Sequence, residues 1–410
     1  MTPLGRPPVI LDIVEEHFDE LDFLWEHREA NLFTPDWTLE DLAEHEERAE
    51  AHLDGLRLAE LHAVDLAEER LLGGETFATT AAALVLFEAG EAEYHELIRE
   101  ALRTAGPESV DGIRIALRHY PLDGMSETLE TLVTGEDLFR AAAAADVIAF
   151  HRIPVVGLER LLGSDDPPTR ALALGAAGRL GLLGQSDLDA ALQCAEPDVR
   201  SAALRAAARM GFPGLADRCR ALATRETDPD PEAVSFLGVL GEPQDVTVLQ
   251  SLVGREPIAH EAVAALGAAG RIEAVPTLLE LMADDALGIV ATAAYRRITA
   301  APDVEGHMPF PRPEVPEGED EEEALPPDPE KAAADWAQRA SNMTPESAWQ
   351  SGVAIADHQL PETLDELPLE SRRDVYLRIR SRLGAQAPDL ELEALATRQG
   401  TALAMQQATA

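Results

Sequence analysis

A chain that repeats itself at a fixed interval is confined to folds made by stacking one unit on the next. Leu174 to Arg179 and Leu266 to Arg271 both read Leu-Gly-Ala-Ala-Gly-Arg. Two degenerate copies lie between them, Leu204 to Arg209 and Leu237 to Glu242, so the leading leucines fall at 174, 204, 237 and 266. Fainter copies fall near Leu84, Ile115, Ala145 and Ala294. A period of about 30 residues holds two short helices and their turns. Neither helix can bury its apolar stripe alone, so the neighbouring repeat supplies the other wall.

Each clear copy has the same internal order. An Asp- and Pro-rich turn comes first, as at Asp165 to Pro168, Glu196 to Asp198 and Asp228 to Pro231. Asp can accept the free amide hydrogens of a helix start, and Pro is tolerated in the first turn, where its missing N–H is not needed. An Ala/Leu helix such as Val199 to Met210 follows and ends at a glycine, Gly181, Gly211 or Gly241, which permits a left-handed final turn. A second, Leu-rich helix such as Val275 to Met282 completes the unit. Aromatics are only 4% of the chain, and its Ala/Leu bias disfavours strands.

These residues resemble HEAT-like repeats, in particular the short bacterial kind first noted in phycobilin lyases. The resemblance is clear from about Val155 to Arg297 and extends less clearly from Thr76. It is carried by the Asp-Pro-x-Val-Arg turn, matched closely by Glu196-Pro197-Asp198-Val199-Arg200, and by the Leu-Gly-x-x-Gly helix end. It implies an all-α protein, a HEAT-like α-solenoid spanning residues 76–300.

Residues 1–75 differ and are expected to form an N-terminal helical hairpin. Ile10 to Leu32 and Leu39 to Leu72 read as two long helices split at Thr34-Pro35-Asp36, with Thr38 as a cap and Asp41 three residues on. Residues 301–330 form an acidic, Pro-rich linker: Pro302 to Glu330 holds eight prolines and the acidic run Glu317 to Glu323. Such a composition cannot build a core and is expected to be mobile. Residues 331–410 regain helical character as a small C-terminal helical domain, with Trp336, Trp349, Tyr376 and Leu377 as expected anchors. Ala51 to Arg57, the repeats, the acidic linker and the tail around Trp336 together resemble a bacterial HEAT-repeat family sometimes associated with type VI secretion loci. That resemblance implies an accessory role, as adaptor, chaperone or immunity protein, with a secreted effector or secretion component as partner.

The formal charge is −43. It repels phosphate backbones and raises encounter rates with basic surfaces, so the expected partner is a protein with a basic contact face, not a nucleic acid. Met1 to Phe23 lacks the basic-then-apolar order of a signal peptide, and no apolar run approaches a membrane span. The expectation is a cytoplasmic chain with no membrane partner. Cys194 and Cys219 form no paired motif and read as small buried thiols.

Five of the eighteen aromatics, Phe18, Phe23, Trp25, Phe33 and Trp37, cluster near the N-terminus. The first reading is that they cap the open end of the solenoid and fill the hairpin; as an exposed hot-spot patch they are instead the candidate partner-binding residues. No phosphate loop, dinucleotide turn or nucleophile elbow is present. Ala259-His260-Glu261-Ala262 resembles the His-Glu pairs by which the HEAT-like deoxyhypusine hydroxylases hold iron, but the matching positions of the other repeats carry no second pair. His17, His27, His45, His52 and His62 lack the spacing of a helical metal motif. The reading is a non-enzymatic protein-binding scaffold with no catalytic residue, cofactor or metal; a HEAT-like enzyme of the metal-dependent or lyase kind is the alternative.

Overall fold

The computed structural model describes residues 9–302, 304, 306, 326–356 and 362–407. In chain order the helices begin with α1 (Leu11–Asn31), α2 (Leu39–Ala59), α3 (Leu61–Leu71), α4 (Thr76–Ala89), α5 (Ala92–Thr104), α6 (Pro107–His119) and α7 (Ser126–Val133). There follow α8 (Leu138–Phe150), α9 (Leu158–Leu162), α10 (Pro167–Leu180), α11 (Gln185–Ala191), α12 (Pro197–Met210), α13 (Leu215–Ala223) and α14 (Pro231–Leu240). The rest are α15 (Asp245–Leu252), α16 (Ala259–Ala269), α17 (Val275–Leu281), α18 (Gly288–Thr299), α19 (Pro329–Arg339), α20 (Leu369–Leu383) and α21 (Ala396–Gln407). The only strands among the described residues are β1 (Ala348–Gln350) and β2 (Val353–Ile355), an antiparallel pair. Ser351 and Gly352 both have positive φ, the two-residue turn that matches strand twist. The protein is therefore mainly helical, with one hairpin that the all-α reading lacked.

The chain forms two compact units, residues 1–206 with 389–410, and residues 207–388. This division differs from the expected one. Residues 331–410 do not make a domain of their own: they are shared between the two units. Residues 9–75 likewise belong to the same unit as the helices up to 206.

In the first unit α4 packs on α6, α6 on α8 and α8 on α10. In the second, α14 packs on α16 and α16 on α18, with α13, α15 and α17 each against the next helix of that row. Row helices are buried on nearly every side, as in the unbroken buried runs Thr79 to Phe87 of α4 and Ala141 to Phe150 of α8. Their starts follow the Asp-Pro grammar. Asp166 accepts from the Thr169 amide with Pro167 in the first turn, and Asp230 accepts from the Glu232 amide with Pro231 there.

The helix ends define the true register. Left-handed residues recur at Arg152, Gly181, Gly211, Gly241, Gly270 and Ala300, a more even spacing than the leucines gave. Three carry the same closing bond: Ile153 N donates to Ile148 O at 3.1 Å, Leu182 N to Ala177 O at 2.8 Å and Phe212 N to Ala207 O at 2.9 Å. The two identical hexapeptides are thus not equivalent. The first ends before its cap at Gly181, whereas the second contains its cap, Gly270. The slide between them is nearly one helical turn, and Ala and Gly tolerate it, which hid the offset.

The N-terminal helices depart from expectation at one place. Thr38 and Asp41 form the expected capping box, but Leu39 to Leu72 is not one helix. Glu60, at φ +49°, breaks it into α2 and α3. Most of the expected linker, including 307–325, lies outside the described residues. Its ends are held together, Gly306 N donating to Pro326 O at 2.6 Å and Asp328 N to Val304 O at 3.0 Å. Tyr376 and Leu377 are buried as expected, whereas Trp336 and Trp349 are half-buried.

Row helices approach at glycine. A methyl group on Gly267 would lie 2.7 Å from Ala294 Cα, and one on Gly178 would lie 2.7 Å from Ala206 Cα. In an exposed helix Gly→Ala stabilises by up to about 1 kcal/mol. Here the sign reverses: Gly267→Ala is expected to destabilise by about 1–3 kcal/mol, because backbone cannot yield as a side chain does. A lowered urea midpoint with unchanged slope is the readout.

Candidate functional site

The five N-terminal aromatics do not form one surface. Phe18 and Trp25 are core residues, 0% and 6% exposed. Both fall on the α1 face that also buries Val14, Leu21, Leu24 and Arg28. The Arg70 guanidinium lies over the Phe18 ring and that of Arg28 over Trp25. Their place among partner-binding candidates is corrected: a side chain with almost no exposed area cannot meet a partner. Phe33 and Trp37 are half-buried, and Phe23 is 53% exposed. Trp37 sits against the rings of His27 and His45 at 5.1 and 4.8 Å, and Phe23 stacks on His27 at 5.5 Å. His45 Nε2 donates to Leu24 O at 2.7 Å, and burial holds its pKa below the usual histidine value.

A better surface lies at the α2–α3 break. The turn at Glu60 opens a pocket of about 350 Å³ floored by Leu53, Leu56, Ala63, Val64, Val85 and Tyr94. Leu58 and Leu61, on either side of the break, are 84% and 62% exposed. Leu61 lines the pocket, and a leucine this open at the mouth of an apolar pocket is unusual for a surface that meets only water. The rim is acidic. Glu60, Glu88 and Glu91 line it, and the cation among its lining residues, Arg57, is bound to Glu50 and Glu88 at 2.8 Å and also to Asp54. Carboxylates thus surround one guanidinium. Sequence reasoning missed this site because neither glycine nor proline marks the break.

The second concentration of chemistry is buried. Asp146, at the centre of the Ala-rich α8 and 1% exposed, accepts from three guanidiniums. They are Arg114 and Arg118 of α6, at 2.9 and 2.8 Å, and Arg179 of α10, at 2.7 Å. Two of these arginines also reach residues just before α21. Arg118 donates to Glu393 at 2.8 Å, Arg179 to Glu391 at 3.0 Å and to Glu393 at 2.9 Å. Arg152 meets Asp389 at 3.0 Å and Glu391 at 3.2 Å. The Arg118 and Arg179 guanidiniums also lie over the Phe150 ring, at 5.3 and 5.4 Å from its centre. Burial alone would raise the Asp146 pKa, but the fields of Arg118, Arg179 and Arg114 overcome it and bring it down to about 2. Glu393 is lowered in the same way, by Arg179 and Arg118 against its burial. Next to the cluster, burial and the charges of Arg28 and Arg118 hold His119 well below the usual histidine range.

Among the described residues, no group of three or more His, Cys, Asp or Glu side chains is placed to hold a metal ion. His260 is exposed at the start of α16 and Glu261 half-buried. Cys219 is buried, its thiol pushed up to about 12 by burial, and Cys194 is half-buried. Among the described residues, no helix is long and apolar enough to cross a membrane. Neither a known protein family nor a curated protein sequence matches the chain.

The division of the aromatics can be measured. Phe18→Ala and Trp25→Ala should each lower stability by about 3–5 kcal/mol, whereas Phe23→Ala should leave the melting temperature almost unmoved. Calorimetry of the three variants separates core from surface. Acid tests the buried groups. His119 is depressed in the fold, so its contribution is full above the unfolded value near 6.5 and declines as pH falls below it. Asp146 contributes fully above its unfolded value near 3.8 and is lost as pH falls toward about 2, an effect on the order of 2 kcal/mol. Asp22, raised to about 6 by burial, acts with the opposite sign between about 6 and its unfolded value near 3.8. Below about pH 6.5 the loss from His119 is therefore partly offset by Asp22, a second fall follows below about 3.8, and His119→Gln should make the first fall in urea midpoint shallower.

Proposed function

We propose that this chain is a non-enzymatic protein-binding scaffold of the HEAT-like α-solenoid kind. The evenly spaced left-handed caps, and the rows in which each helix packs on the next, support the repeat reading. The observation that carries the binding reading is the pocket at the α2–α3 break, with its apolar floor, its acidic rim and the open Leu61 in its lining. Its ligand is a segment of a protein partner with a basic surface: an apolar side chain enters the pocket and flanking Lys or Arg side chains meet Glu60, Glu88 and Glu91. The long-range field of a chain carrying −43 accelerates the encounter, and the pocket provides the anchor. The resemblance to the family found at type VI secretion loci makes a secreted effector or a secretion component the partner to test first. That accessory role rests on the resemblance alone.

A fluorescein-labelled helical peptide with leucines one turn apart and arginines elsewhere is a direct probe. Wild type should bind it, and Leu61→Ser should weaken binding about tenfold without moving the melting temperature, since Leu61 is already exposed. Raising ionic strength should slow association, because salt screens the rim charges. Equal binding by wild type and Leu61→Ser would remove the pocket from the proposal. An association rate flat between low and physiological salt would remove its electrostatic part.

A further inference from the structure

The arginines around Asp146 and residues 389–393 outnumber the carboxylates that the helices supply. Arg114, Arg118, Arg152 and Arg179 have only Asp111 and Asp146 as ion-pair partners from the helices themselves. The remaining contacts go to Asp389, Glu391 and Glu393. Without that segment, four guanidiniums would face two carboxylates. A net positive patch inside so acidic a protein demands an anion.

Arg152 adds an independent observation. It occupies the left-handed cap position that is glycine in the next four repeats. A non-glycine residue there is strained. The strained cap places its guanidinium on Asp389 and Glu391.

The site reads polypeptide as well as charge. Leu390 and Leu392, between the acids, are 2% and 9% exposed. Glu393 O accepts from Arg28 at 3.0 Å, and Ala396 N donates to Glu46 at 2.8 Å. A free phosphate or a nucleic-acid backbone would supply neither the alternating leucines nor the amide.

We propose that this arginine row is a recognition site for an acidic segment of a partner protein, with carboxylates at alternate positions and apolar residues between them, and that residues 389–396 occupy it in cis as a resident ligand. The partner segment must displace a tethered competitor, so its binding is suppressed by the tail's effective concentration, which is millimolar for short tethers. The site is separate from the pocket at the α2–α3 break, and either proposal stands if the other fails.

The test uses the full chain and a fluorescein-labelled peptide with the sequence of residues 386–400. Glu391→Gln with Glu393→Gln weakens the resident segment, and this double variant should bind the peptide at least about tenfold more tightly than wild type. Adding Arg152→Gly should then weaken the peptide about tenfold while holding or raising the melting temperature, because glycine relieves the strained cap as the ligand contact is lost. No gain in binding by a folded double variant would overturn the proposal. So would displacement of the peptide by inorganic phosphate or a short oligonucleotide at equal concentration, since the site would then read charge alone. If the double variant does not fold, hydrogen exchange on wild type decides. Millimolar unlabelled peptide should deprotect the amides of 390–396, and unchanged protection there would refute a replaceable segment.

Discussion

Every α-helix ends with carbonyl oxygens that no residue of the same helix can reach, and a fold that stacks helix ends in a row concentrates them. How those oxygens are met governs much of this protein. In the second unit the donors come from the later part of the chain. Arg378, wholly buried in α20, donates to Gly238 O and Val239 O of α14 and to Ala268 O and Ala269 O of α16. Gln350 reaches Gly267 O and Ala268 O, Trp349 N reaches Gly270 O, and Gly352 N reaches Ile298 O. The hairpin and α20 are therefore caps in the physical sense. They exist where they do because the row would otherwise bury acceptors without donors. One planar guanidinium with its fan of N–H groups can bridge two helix ends, and an ammonium on a flexible stem cannot hold that geometry.

The first unit meets a related demand with charge. Asp146 replaces an apolar residue at the centre of a helix that is otherwise mostly alanine and branched aliphatic, and three arginines from two neighbouring helices close on it. Such a cluster gives little net stability over a well-packed apolar core, but losing one member leaves uncompensated buried charge. It therefore specifies register. A helix sliding by one turn would separate Asp146 from its partners, and the small side chains around it would not resist the slide by shape. Leu-Gly-Ala-Ala-Gly-Arg, used in two registers in one chain, shows how weakly such residues specify position on their own.

That degeneracy marks the limit of what the sequence discloses. Helix starts were legible because Asp and Pro act locally, and Asp166 with Pro167 and Asp230 with Pro231 sit where the turn chemistry places them. The glycine caps were legible for the same reason. Arg152, Ala300 and Glu60 adopt left-handed backbones that only tertiary contacts can impose, so nothing local announced them. The aromatic cluster was found, but its composition could not separate Phe18, which faces the core, from Phe23, a little further along the same helix and half exposed. The arginine row was out of reach altogether. Its carboxylates lie near the far end of the chain from Arg152 and Arg179, and no periodicity links them.

The buried arginines also change what the net charge means. Arg28, Arg114, Arg118, Arg179, Arg271, Arg372, Arg378 and Arg380 are all buried. Their charges sit inside the fold, among carboxylates and carbonyls, so the face that the solvent meets is more one-sidedly acidic than a total of −43 suggests. Self-repulsion of that surface opposes the compact state, and added salt relieves it within a screening length of about 8 Å at physiological ionic strength. The same salt weakens long-range attraction to a basic partner. Salt therefore acts on folding and on encounter with opposite signs, while the buried Asp146 cluster, closed off from ions, responds little. An ionic-strength series thus separates surface electrostatics from the internal kind: only the surface part scales with screening, and what persists at high salt is held by packing, capped carbonyls and buried pairs.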